Sequence, residues 1–246
     1  QSYLLDANIS LNDLEVRGKT AGTDRDADLS LMVSPLLLNG SLTISNGRSS
    51  LSSNNRNVTI RGDMDNSGSW YYGTSRTIFD DGVQSVTGSS VTDFYDLEVS
   101  SVTSLTSNGS FTVNNDLVIV SGNLVLGSGL ATVIGDLVNN GAYTDDNLTG
   151  GVRLGGATQQ IISGNGSFAR LVLDNGSGAR ISNEIILQHV LVIDRGILDI
   201  NKYLLTLSQN SLISGTGFRA TKMIRSDGVS SSRGVLKYFP AGAQTF

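Results

Sequence analysis

Three carboxylates, Asp24, Asp26 and Asp28, alternate in the stretch TDRDADL. Alternate residues of an extended chain project to one side, and a hard cation such as Ca²⁺ wants several oxygens from one side. The spacing opens like an EF-hand loop and then departs from it. Leu29 stands where the loop needs glycine, and Pro35 where it needs the closing glutamate. Ca²⁺ is the one cofactor the residues suggest, and a solvated acidic turn is the competing reading. A second group, Trp70, Tyr71 and Tyr72, is a run of three aromatics. Exposed side by side, such rings stack on sugars; turned inward, they pack a core.

Other motifs are less complete. Arg61-Gly62-Asp63 spells the integrin-binding tripeptide, but Gly62 and Asp63 recur as Gly135 and Asp136 in a matching phrase, so a turn accounts for two of its three letters. Asp80-Asp81 and Asp145-Asp146 could supply an acid and a base for glycoside cleavage. Neighbouring residues on one strand point to opposite faces, however, so two adjacent aspartates do not make a catalytic pair. The single histidine, His189, sits within the apolar stretch LQHVLVI, and neither a Gly-x-Ser-x-Gly elbow nor a phosphate-binding loop occurs. With no constellation complete, the expectation is a chain that is not an enzyme. A polysaccharide-binding or polysaccharide-cleaving β-helix is the alternative.

The elements that would position these residues are strands. Of 246 residues, 39% are apolar, enough for a sizeable core, while only 16% are charged and 29 are glycine. The net charge of −5 disfavours a nucleic-acid partner, whose phosphates require clustered Lys and Arg. No apolar run is long enough to span a membrane, and residues 1–30 contain no basic-then-apolar leader. Cysteine is absent, which excludes disulfides and thiolate metal sites without fixing a compartment. Short stretches such as SLTISNG, NVTIRG, SFTVNN and YLLTLSQN place aliphatic or β-branched residues at spacing two between Gly, Asn, Asp and Ser. That alternation predicts an all-β protein.

The chain also repeats. GDMDNSGSW at 62–70 returns as GDLVNNGAY at 135–143, and DLEVRG, DLEVSS and RLVLDN place anchors at Leu14, Leu97 and Leu171. These divide the sequence into copies at about 14–96, 97–170 and 171–246 of one continuous unit, 1–246. Finer strand signals recur near Leu97, Leu117, Leu137, Leu154 and Leu171. A parallel β-helix, or β-solenoid, of about twelve coils accounts for both periods, with four coils to a copy. Tandem immunoglobulin-like sandwiches are the alternative, but they favour buried aromatic pins, and the chain has one Trp. The solenoid makes spatial demands. Leu97, Leu117 and Leu137 should stack inward, and NGRSSLSSNNRN (46–57) should bulge from a corner. Trp70 and Tyr143 should share one corner about four coils apart, too far to touch each other.

The segments RTIFDDGVQSVTGSSVTDFYDLEVS, GGATQQIISGNGSFARLVLDNGSGARIS and TKMIRSDGVSSSRGVLKYFPAGAQTF resemble repeats of very large Bacteroidota cell-surface proteins. GDLVNNG is also similar to the repeats of filamentous haemagglutinin-like adhesins. The first resemblance implies cargo of the type IX secretion system, of the adhesin or gliding-motility kind, located outside the cell. Its implied partners are the secretion machinery, surface glycans or proteins, and further segments of the same longer chain. The resulting expectation is a structural or adhesive segment with Trp70, Tyr71 and Tyr72 as candidate ligand-binding residues and Asp24, Asp26 and Asp28 as candidate metal ligands.

Overall fold

A computed structural model of the chain describes residues 2–5, 10–18, 26–100, 103–107, 109–146, 149–227 and 234–239. The described residues contain strands and turns and no helix. Every ladder between strands is parallel, and each strand pairs with strands about one turn of chain away in either direction. The fold is therefore a parallel β-solenoid, and the tandem-sandwich alternative fails because it needs antiparallel ladders. Three strands make one coil and the cross-section has three faces. Face three carries eleven strands, from Leu14–Val16 to Gly234–Lys237, slightly fewer than the twelve coils expected.

Most strands are three or four residues long and read buried, half-buried, buried, as in Leu36–Leu38, Leu42–Ile44 and Val58–Ile60. The inner residues stack on their counterparts one coil away. Leu97, Leu117 and Leu137 are in direct register on face two and are almost wholly buried, as expected. Burying one such side chain contributes about 2 kcal/mol, and each coil adds several.

Faces one and two are joined by one unusually long strand, Val190–Asn201, whose first half pairs on face one and second half on face two. Face one is broken lower down. Its first sheet ends at Ser69–Tyr71 and its second begins at Phe111–Val113, with only an isolated Phe94–Val113 bridge for the coil between.

Three spatial expectations need correction. Residues 46–57 do not bulge: they contain the strand Ser49–Ser52 of face one, with Ser49, Leu51 and Ser53 all buried. Trp70 and Tyr143 lie on different faces, Trp70 on face one beside Leu51 and Tyr143 on face three beside Leu124. The anchors Leu14, Leu97 and Leu171 likewise fall on faces three, two and one, and Leu154 shares face one with Leu171. The long spacing is not a whole number of coils. The two copies of the opening phrase sit one face apart.

They are nevertheless built alike. Asp63 Oδ1 accepts the Ser85 backbone N–H at 2.7 Å, and Asp136 Oδ1 accepts that of Ile161 at 2.7 Å. Gln84 Nε2 donates to the carbonyls of Ile60 and Gly62, and Gln160 Nε2 to those of Val133 and Gly135. Asn66 and Asn139 are both wholly buried and occupy the next corner. The phrase encodes a corner, and the solenoid can use that corner between any two of its faces.

Candidate functional site

The Gly-Asp pair explains how coils are joined. An aspartate at the corner of one coil accepts a backbone N–H from the next. Along one edge Asp13 accepts from Ser41 at 2.7 Å, Ser41 Oγ from Asp63 at 3.1 Å, and Asp63 from Ser85. Along another, Asp96 accepts from Asp116 at 3.1 Å, Asp116 from Asp136 at 2.7 Å, and Asp136 from Ile161. Glycine precedes Asp63 and Asp136, where the coils approach closely. A Cβ on Gly135 would lie 2.6 Å from the carbonyl carbon of Asn115, and one on Gly62 equally close to that of Gly40. Arg61-Gly62-Asp63 is part of this joint: Asp63 also accepts from Ser85 Oγ, and Arg61 reaches Asn39 at 3.1 Å and Asp80 at 3.6 Å.

Ion pairs join coils in the same way. Asp174, with only a tenth of its side chain exposed, is held by Arg153 and Arg195. Burial works against its ionised form, but the hydrogen bonds and charges of Arg195 and Arg153 prevail and hold its carboxyl below the usual range. Asp199 follows the same balance, with burial opposed by Arg225 and by the Asn201 backbone N–H.

Tyr143, Asp145, Arg170 and His189 form a tighter cluster. Asp145 Oδ2 accepts the Arg170 backbone N–H at 2.6 Å, while Oδ1 lies 3.0 Å from His189 Nδ1. The Asp145 side chain is fully buried and the imidazole is 30% exposed. Burial, then the Asp145 charge, pushes the Tyr143 phenol well above its ordinary value, with Arg170 opposing. The pairing of Asp145 with His189 spans 44 residues and three consecutive coils, which no local motif could signal. Together, the buried carboxylate and Arg170 fasten one corner.

The anticipated site residues disperse. Trp70 is buried and packs locally, with its indole Nε1 lacking a hydrogen-bond partner among the described residues. Tyr143 packs edge-on against Phe168 instead, with ring centres 6.0 Å apart. Tyr71 is 59% exposed on the outer surface of face one, aligned with Ser52 and Ser30. Tyr72 is partly buried, and its hydroxyl accepts from Asn114 Nδ2 two coils on. Of the acidic trio, Asp24 lies outside the described residues. Asp26 is exposed and Asp28 accepts from Ser50 Oγ at 2.6 Å. Among the described residues no three His, Asp or Glu side chains are grouped to hold a metal.

Comparison of the chain with protein-family models, with curated proteins and with solved structures finds no match in any of the three.

Proposed function

We propose that the chain is a non-catalytic shaft, a structural or adhesive segment of a secreted bacterial surface protein. One observation supports this above the others: seven of its aspartates are engaged in joining coil to coil. Asp13, Asp63, Asp96, Asp116 and Asp136 hold corners, while Asp174 and Asp199 hold arginines of neighbouring coils. A glycosidase needs two carboxylates facing each other across a cleft. Here Asp80 pairs with Arg61, and Asp145 is buried against His189. The outer rows suit exposure to water, being rich in hydroxyls: Asp28, Ser50 and Ser69 form one row of face one, and Ser30, Ser52 and Tyr71 the next.

Export through the type IX system, an adhesin or gliding-motility role, a Bacteroidota source and an extracellular location are proposals that rest on the resemblance of the repeats. Tyr71 is the aromatic best placed to meet a glycan. Ca²⁺ held by Asp24, Asp26 and Asp28 would have to compete with Ser50 for Asp28. A glycan array run beside a turnover assay on soluble polysaccharides tests the reading. Retention without release of reducing ends supports an adhesive shaft, and retention nowhere supports a spacer. Turnover that disappears in Asp80→Asn or Asp145→Asn would overturn both in favour of an enzyme.

A further inference from the structure

The break in face one falls beside one of the two copies of the repeated corner. In both copies a buried asparagine stands where the chain leaves its coil. Asn66 O accepts the Ser90 N–H at 3.0 Å, and Asn139 O accepts that of Gly166 at 2.8 Å. Asn66 Nδ2 reaches Val91 O at 3.4 Å and Thr92 Oγ1 at 3.1 Å, and Asn139 Nδ2 reaches Ser167 O at 2.9 Å. Gly88 and Gly164 both have positive φ, and a Cβ on either would run into the asparagine carbonyl below. This alignment makes Val91 the counterpart of Ser167, and Thr92 the counterpart of Phe168. Phe168 is wholly buried and packs on Tyr143, whereas its counterpart is a threonine.

The smaller side chain leaves room. A cleft of about 350 Å³ opens at this corner between faces three and one. Four inward-facing residues that line it, Val86, Thr92, Ser107 and Phe111, keep 6–8% exposure, while neighbouring core positions such as Leu105 and Val113 have 1% or none. Thr87, Ser89, Ser90, Thr92, Ser107 and Ser110 line the cleft, and among the described residues no charged one does. The hydroxyl of Thr92 accepts from Asn66 Nδ2, that of Ser107 donates to Gly109 O, and that of Ser110 accepts the Leu130 N–H. Val86 and Phe111 supply an apolar floor.

We propose that this cleft is a binding site for a single neutral sugar residue, such as the terminal unit of a glycan. An apolar floor within a lining of uncharged, hydroxyl-bearing residues suits a pyranose, which has one C–H face and a rim of hydroxyls. Without Lys or Arg in the lining, a phosphate, a sulfate or an acidic sugar would enter uncompensated. The volume lies at the small end of ligand pockets, which sets the size at one ring rather than a chain. The site deepens the adhesive half of the proposed function. A shaft that holds no sugar still satisfies the spacer half, so the two readings fail separately.

The test is titration of the intact chain with glucose, galactose, mannose and N-acetylglucosamine, followed by backbone amide shifts. Binding should saturate and perturb Ser89–Thr92 and Gly109–Phe111. Thr92→Phe, which restores the residue of the second copy, should raise the melting temperature and weaken binding at least tenfold. If that variant does not fold, Ser90→Tyr at the rim should abolish binding in its place. The proposal is overturned by no saturation at about 50 mM sugar, well beyond weak millimolar affinity. Binding unchanged in the rim and floor variants also overturns it. Entry of benzene or xenon without any sugar would do the same, by making the cleft a dry packing void.

Discussion

Each Gly-Asp corner does two local tasks: the aspartate accepts a neighbour's N–H and the glycine accommodates the close approach of the next coil. Asp136→Ala would leave the Ile161 N–H without its acceptor and should lower stability by about 1–3 kcal/mol in urea unfolding. Gly135→Ala should cost more, because the Asn115 backbone would have to give way. Asp174 adds a pH signature. Its folded carboxyl is more acidic than the unfolded one, so its contribution is complete above the ordinary carboxylate value of about 3.9 and is lost as pH falls through the lower folded value. Asp174→Asn should therefore lower stability at neutral pH and flatten the acid limb of the stability profile, measured by thermal melts from pH 2 to pH 7 on the order of one unit apart.

Strands were legible because aliphatic residues at spacing two must face one way, and the solenoid followed from Leu97, Leu117 and Leu137 recurring at coil length. Which face a strand occupies was not legible. All three faces use the same inward-outward-inward phrase, so Leu14, Leu97 and Leu171 look equivalent in sequence while lying on three different faces. The strand Ser49–Ser52 was hidden for another reason: Ser49 and Ser53 are polar yet buried. The Ser49 hydroxyl accepts the Gly18 N–H at 2.7 Å, and that of Ser53 donates to Tyr72 O at 2.6 Å. The cleft was unreadable until the two corners could be aligned in space. At this scale the unit of tolerance is the coil. Removing residues 117–136 joins Asp116 to Leu137 and replaces each lost partner with its equivalent, so the shortened chain should fold with its circular dichroism retained. Removing half of that stretch should abolish cooperative melting, because a deletion of half a coil would set later strands against corners of the coil below.

Across the whole molecule each coil touches little beyond its two neighbours, so stability is a sum of local terms. Hydrogen exchange should grade along the axis and dip at the break: amides of Val91 and Thr92 should exchange about tenfold faster than their counterparts Ser167 and Phe168. The displacement of the repeated corner by one face has a further consequence. Two such corners, 73 residues and so a little under four coils apart, differ by roughly 18 Å along the axis and also in compass direction around it. A feature inherited with the phrase is thus not printed as a straight stripe but winds around the shaft like a screw thread. A flat surface pressed along one side of the rod meets only one of the two corners, whereas a flexible strand coiling around it could reach both.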